Sequence, residues 1–159
     1  LRKITINITL KKLKNKKLYD PKVSSYVSTI AKKKFIRNLL KKFQKEFSKN
    51  KKFIIEGRDI ASKILPKADL KLFFRCSVKE KAKRRFKEFK KANKKITIKE
   101  VEKALKLRDF NDKTRKESPL LFVKGAVLVV TTNLTIKEME IKLNKIVSKA
   151  LKLKKYGNI

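Results

Sequence analysis

The chain has 159 residues, and its 41% hydrophobic content excludes an intrinsically disordered protein. It carries 48 Lys and Arg against 14 Asp and Glu, and a formal net charge of +34 favours polyanionic partners such as nucleic acid, nucleotides or an anionic membrane. The basic residues are spread along the whole chain and are mostly Lys, so the charge is discounted as a functional signal. One cysteine, Cys76, excludes an internal disulfide, and no apolar run approaches the length of a transmembrane helix. We therefore expect a cytoplasmic protein without a membrane partner.

The first 50 residues predict one strand and a long helical stretch. Residues 3–10 alternate apolar and polar side chains, as a half-buried strand does. Asp20-Pro21 then opens a helical pattern over residues 23–47, with an interruption expected near residues 32–34.

Three short apolar runs, 53–56, 70–74 and 126–130, predict core strands. Helix starts are marked by capping boxes, in which Ser or Thr is followed three residues later by Glu. There are three of them: Ser77 with Glu80, Thr97 with Glu100, and Thr135 with Glu138. Two of these boxes directly follow predicted strands, and this alternation indicates an α/β fold with a parallel sheet.

The apolar run 53–56 ends in Gly57-Arg58-Asp59, at the carboxyl end of the predicted strand. Ligands of open α/β sheets bind at that edge, and glycine allows a tight turn or a close approach of the backbone to a ligand. A solvated Arg-Asp pair in a turn is the open alternative.

The arginines of this chain extend the same candidate site, because Arg37, Arg58, Arg108 and Arg115 are expected to converge on one cleft with Asp59 and Asp112 among them. Only eight of the 48 cationic residues are Arg, so Arg is expected where a planar fork must bind phosphate or carboxylate. In the helix beginning at Thr97, the apolar stripe of Val101 and Leu105 continues as Arg108, Asp112 and Arg115. A solvated salt-bridge ladder would lie opposite that stripe, so a charged site for a phosphorylated substrate is favoured. No metal site is expected, because the chain has no His and one Cys.

Residues 20–150 resemble the bacterial cytidylate (CMP/dCMP) kinases in the order and spacing of several stretches. Two signatures carry most of the resemblance: Glu56-Gly57-Arg58-Asp59 and Arg108-Asp109-Phe110-Asn111-Asp112-Lys113-Thr114-Arg115. Further matches are Asp20-Pro21-Lys22-Val23-Ser24, Leu65-Pro66-Lys67-Ala68-Asp69-Leu70 and Ser118-Pro119-Leu120.

The resemblance implies a P-loop nucleoside monophosphate kinase-like fold, a three-layer α/β/α arrangement with a parallel sheet. It implies transfer of a phosphoryl group from ATP, with Mg²⁺, to CMP or dCMP by a monomer that has no specific nucleic-acid partner. Residues 1–50 would form the CMP-binding insert. Residues 51–159 would form the remainder of the core domain, including a lid at about residues 90–118.

The resemblance also implies roles for individual residues. Ser28 and Arg37 would belong to the CMP-binding insert, Arg58 would hold the CMP phosphate, and Asp59 would orient cytosine-reading arginines. Arg108 and Asp112 would contact the ribose and phosphates, and Arg115 the nucleotide. Arg84 and Arg108 would bind ATP. The catalytic set would be Arg58, Arg108 and Arg115.

One departure from the family pattern concerns the ATP phosphates. The glycine-rich loop Gly-x-x-x-x-Gly-Lys-Ser/Thr does not occur, since the three glycines are Gly57, Gly125 and Gly157. We expect a truncated form that lacks the N-terminal P-loop strand and helix and has impaired or no activity. The alternative from another class is a basic RNA- or DNA-binding protein without catalysis. An adenylate or uridylate kinase is disfavoured by the long insert with Ser28 and Arg37.

Overall fold

The computed structural model describes residues 33–49, 53–91 and 95–155, together with the single residues 18, 23, 26, 29 and 30. Contacts divide the chain into two compact units. The first unit comprises Leu1–Pro66 with Asn111–Leu121, and the second comprises Lys67–Phe110 with Phe122–Ile159. The functional division proposed after residue 50 stays a prediction.

The first unit contains helix α1, Lys34–Phe47, and a π-helical turn, Ile60–Ile64. Lys33 is extended, with φ −78° and ψ 110°, so α1 begins where the sequence predicted an interruption. Two backbone hydrogen bonds hold this turn. The Lys63 amide donates to the Asp59 carbonyl at 2.8 Å, and the Leu65 amide donates to the Ile60 carbonyl at 2.7 Å. Ile64 is buried beneath it.

Gly57 is needed because the π-helical turn approaches it closely. A Cβ atom at this position would lie 2.8 Å from Cγ1 of Ile60 and 3.0 Å from its Cδ1. Any larger residue at position 57 must therefore displace the Ile60 side chain that follows Arg58 and Asp59.

The second unit is built on a parallel pair of strands, β1 (Leu72–Arg75) and β2 (Val127–Val130). Leu72 pairs with Val127 and Arg75 with Val130. The pairing extends to Thr131, whose amide donates to the Arg75 carbonyl at 2.8 Å. Val129 is fully buried, while Phe74, Leu128 and Val130 are exposed. The predicted α/β class and the parallel pairing of the second and third apolar runs are confirmed.

The predicted strand at residues 53–56 is wrong. These residues are irregular, and the side chain of Ile54 is fully exposed. An apolar run becomes a strand only when a neighbouring strand satisfies its backbone groups. Among the described residues, the sheet contains only β1 and β2, which pair with each other. The strand predicted at residues 3–10 lies outside the described residues.

Three helices complete the second unit and its connection to the first: α2 (Val78–Lys91), α3 (Ile98–Thr114) and α4 (Ile136–Lys155). Helices α2 and α3 pack through Ala82, Phe89 and Val101, with Phe86, Ile96 and Leu105 around them. The predicted apolar stripe of α3, Val101 and Leu105, thus packs against α2 in one core. No helix in the described part of the chain is long and apolar enough to cross a membrane.

Two of the three predicted capping boxes form completely. Thr97 and Glu100, and likewise Thr135 and Glu138, exchange backbone-to-side-chain hydrogen bonds of 2.7–3.3 Å. The Ser77 box is half-formed: the Glu80 amide donates to Ser77 Oγ at 3.2 Å, but the Ser77 amide donates to Thr132 Oγ1. The Glu80 carboxylate pairs with Arg84 instead.

Acidification is expected to loosen the first turn of α4. The amide and hydroxyl of Thr135 donate to the Glu138 carboxylate and hold the pKa of Glu138 below its ordinary value. A carboxylate with a depressed folded pKa contributes stability that is present above its unfolded pKa and is lost as pH falls through the folded pKa.

Carbon-detected NMR of Glu138, with amide exchange of residues 136–139, measures both effects. Thr135→Ala should raise the pKa of Glu138 toward its ordinary value and speed exchange of these amides at neutral pH. An identical titration of Glu138 in the variant would contradict this prediction.

Candidate functional site

The centre of the candidate site is Asp112, in the last turn of α3. Its carboxylate accepts from Nη1 of Arg115 at 3.1 Å and lies 3.1 Å from Nε of Arg58, and its side chain is 6% exposed. The Leu120 amide donates to the Asp112 carbonyl at 2.7 Å, which ties the loop after α3 to the same turn. One buried carboxylate therefore faces two arginines that are 57 residues apart in sequence.

Asp59 and Arg37 form a second ion pair of the first unit. Both side chains are largely buried, and the pair joins α1 to the segment just before the π-helical turn. The hydroxyl of Ser62 donates to the Asp59 carbonyl at 3.3 Å and helps to fix the backbone there.

Arg115 is the most deeply buried arginine of the group, with its side chain 7% exposed. Burial, and then the positive charge of Arg37, lower its pKa; Asp112 and Asp59 oppose this shift, and Arg58 adds to it. An arginine nevertheless stays protonated at neutral pH. Arg58 and Asp59 are adjacent in sequence, so the ion pairs of the first unit group five charged residues into one cluster: Arg37, Arg58, Asp59, Asp112 and Arg115.

The charge of this cluster suits an anionic ligand. Three guanidinium groups and two carboxylates give these five residues a formal net charge of +1. Arg58 is the accessible member, with 36% of its side chain exposed. A cavity of about 350 Å³ also lies beside Arg115 and is lined by Asn111, Thr114, Arg115, Lys116 and Glu117. Planar guanidinium forks match the oxygen spacing of phosphate and carboxylate, so a ligand with either group would complement this cluster.

The cluster contains Arg37, Arg58, Asp59, Asp112 and Arg115 from the predicted site set. Arg108 belongs to the second unit, one helical turn before Asp112 in the sequence of α3, so its share in the site stays a prediction. Ser28 lies outside the described residues.

Arg84 lies in the second unit, where it binds main-chain carbonyls. Its Nη2 group donates to the carbonyls of Thr131 and Leu134, at 2.8 and 3.1 Å, and its Nε donates to Glu80 at 3.1 Å. Arg84 thus ties α2 to the loop that follows β2. The ATP-binding role implied by the resemblance stays a prediction.

Replacing Arg84 with lysine is expected to lower the free energy of unfolding by about 1 kcal/mol, because an ammonium group cannot reach both carbonyls and Glu80 at once. The side chain is 39% exposed, so solvent screening keeps the effect at this level. Arg85→Lys is the matched control, since a lysine can keep the pairing with Glu88 and the contact with the Phe89 ring. Equal urea midpoints for the two variants would contradict the prediction.

Sequence reasoning missed the part of the loop after α3 that holds Arg115. Nε of Arg115 donates to the Ser118 carbonyl at 2.7 Å, and Ser118 has a positive φ of 52°. The Ser118-Pro119 dipeptide was a turn signal, but it did not show that the turn faces the charged cluster.

The cluster does not fit a magnesium ion. Asp59 and Asp112 are each engaged with arginines, and no group of three or more acidic or Cys side chains within the described ranges is placed to hold a metal. We therefore derive no chemical step through a metal at these residues.

A parallel strand–helix arrangement and a cationic cluster are together typical of α/β proteins that bind phosphorylated ligands. The sequence matches the cytidylate kinase family model over residues 4–150, and the chain belongs to this family, which has the P-loop nucleoside monophosphate kinase fold.

Curated relatives agree with this assignment. A cytidylate kinase of Thermosipho melanesiensis is 40% identical over 84% of this chain and 61% of its own length. Cytidylate kinases of Caldicellulosiruptor saccharolyticus and Fusobacterium nucleatum are 40% and 41% identical over 77% of this chain, and over 54% and 56% of their own lengths. The chain therefore spans somewhat more than half the length of these relatives.

Proposed function

We propose that the charged cluster of the first unit binds the phosphate of CMP or dCMP, and that the chain is the nucleotide-binding part of an ATP-dependent cytidylate kinase. The observation that supports this most directly is the cluster itself, in which Arg37 pairs with Asp59 and both Arg58 and Arg115 pair with Asp112. Membership of the cytidylate kinase family supports CMP or dCMP as the nucleotide.

Each residue has a distinct part in this proposal. Arg58, the exposed member, contacts the CMP phosphate, and Asp112 holds Arg58 and Arg115 at a fixed separation. Asp59 fixes Arg37, so that these two side chains meet the nucleotide in a defined orientation. Such preorganised cations stabilise a phosphoryl group in transfer by neutralising the charge on its oxygens. Arg58, Arg108 and Arg115 would supply this charge.

Residues 1–159 contain no glycine-rich phosphate loop, whose backbone amides and lysine would cradle the ATP phosphates. We therefore propose that this polypeptide alone transfers no phosphoryl group. A coupled assay with ATP, Mg²⁺ and CMP tests this, and a turnover near ~1 s⁻¹, the low end for kinases, would contradict it.

Calorimetry with CMP, UMP, AMP and cytidine is expected to separate binding from catalysis. Residues 1–159 should bind CMP weakly and in preference to UMP and AMP, and they should bind cytidine more weakly still, because cytidine has no phosphate for the arginines. Equal heats for CMP and cytidine would contradict the phosphate site. Stronger binding of a single-stranded RNA than of any mononucleotide would favour the nucleic-acid alternative.

A further inference from the structure

We propose that Ser118 is a positioning residue: its left-handed backbone aims a carbonyl oxygen at Arg115 and sets the guanidinium for the phosphate of the ligand. This inference deepens the proposed function and, for its ligand, rests on it. The unusual feature is the backbone, because Ser118 is the one non-glycine residue with a positive φ in the described part of the chain, at 52°.

A positive φ in a serine needs support from the surrounding structure, since side chains with a Cβ disfavour this region. Two hydrogen bonds of 2.7 Å supply that support. Arg115 Nε donates to the Ser118 carbonyl, and the Leu120 amide donates to the Asp112 carbonyl. The loop that follows α3 is thereby tied to the end of the helix at Ser118 and at Leu120.

These contacts fix the orientation of the Arg115 guanidinium. One edge of its guanidinium is fixed by the Ser118 carbonyl through Nε, and Nη1 is fixed by Asp112 at 3.1 Å. Two hydrogen bonds to two rigid acceptors determine the plane and direction of a guanidinium group. The side chain is 7% exposed, so it is ordered by packing as well. A ligand therefore meets a cation that is already oriented, which reduces the ordering that binding would require.

A simple helix terminator would not need this arrangement, because the chain could end α3 without binding a charged side chain. Variants of Ser118 distinguish a positioning role from simple termination of α3. Ser118→Gly and Ser118→Asn permit a positive φ, whereas Ser118→Val disfavours it strongly and Ser118→Ala moderately. Folding of each variant is checked by far-UV circular dichroism.

The first readout is the Nε–H resonance of Arg115 in ¹H–¹⁵N NMR spectra, assigned with Arg115→Lys. Slow solvent exchange of this proton is expected in the wild-type chain and in the Gly and Asn variants. The exchange should become fast in the Val variant and intermediate in the Ala variant. This readout needs no ligand, so it tests the hold of Ser118 on Arg115 even if the chain proves not to bind CMP and the proposed function alone fails.

The second readout is the affinity for CMP compared with cytidine. The Val variant should bind CMP roughly tenfold more weakly, the loss expected for one disordered contact to a charged group, and cytidine as before. The Gly variant should restore the affinity for CMP. If the Val variant is folded and keeps a protected Nε–H, the proposal is overturned whatever its affinity for CMP. If protection is lost but CMP binds as in the wild-type chain, the role of Ser118 in setting Arg115 for the phosphate is refuted.

Discussion

Replacing Asp112 with alanine is expected to lower the free energy of unfolding by about 3 kcal/mol, the lower end of the range for removing one partner of a buried ion pair. The loss of stability comes from the arginines that remain after the carboxylate is removed. Arg115, with its side chain 7% exposed, would lose its nearest carboxylate, and its repulsion from Arg37 and Arg58 would then be opposed by Asp59 alone within the cluster. Like charges in a partly desolvated environment repel far more strongly than they do in water.

Urea unfolding followed by far-UV circular dichroism measures this effect. Glu102→Gln is the matched control, because Glu102 lies on the same helix and pairs with the exposed Lys106 at 2.8 Å. An exposed helical pair of this kind contributes about 0.5 kcal/mol or less. If the Asp112 and Glu102 variants unfold at the same urea concentration, Asp112 does not hold the cluster together and the site as described is refuted.

Local patterns in the sequence predicted those parts of the fold whose causes are local. The capping boxes at Thr97 and Thr135 formed as expected, because each needs only residues three apart in one helix turn. The box at Ser77 makes only one of its two hydrogen bonds, because the Ser77 amide donates to a distant residue, Thr132, and not to Glu80. That competition arises from the β1–β2 pairing and is invisible in a four-residue window.

The same distinction explains the strands. The apolar runs at Leu72–Arg75 and Val127–Val130 form strands because they pair with each other. The run at residues 53–56 has an equally strong propensity, yet Ile54 is fully exposed and the segment is irregular. Strand propensity describes a side chain suited to a pleated surface, but the ladder of hydrogen bonds must come from a partner strand.

The candidate site was predictable because its signal was chemical as well as periodic. Charged residues continuing an apolar stripe, in a chain that otherwise uses lysine, selected Asp112 and Arg115. The selective use of arginine also predicted that Arg58 and Asp112 would share one cleft, and they form an ion pair, but nothing in the sequence revealed that a serine carbonyl would hold Arg115. That contact depends on how the loop returns to the end of α3, and loop geometry has no repeating sequence signal.

Replacing Arg58 with alanine is expected to weaken the binding of CMP by about 10- to 100-fold, the loss that corresponds to a charge-assisted contact. Arg58 is suitable for this test because 36% of its side chain is exposed and a ligand can reach it. For the same reason its ion pair with Asp112 is partly screened, and the change should affect stability less than removal of Asp112 does.

Two further variants separate geometry from charge. Arg58→Lys keeps the positive charge but lacks the planar fork, and it should recover only part of the affinity. Lys63→Ala removes an exposed cation from the neighbouring π-helical turn, and it should leave CMP binding nearly unchanged. Calorimetry with CMP and cytidine on all three variants gives the comparison, and the loss in the Arg58 variants should be confined to CMP. Equal weakening by the Arg58→Ala and Lys63→Ala changes would mean that the nucleotide senses only the overall positive charge, and the assignment of Arg58 to the phosphate would then be wrong.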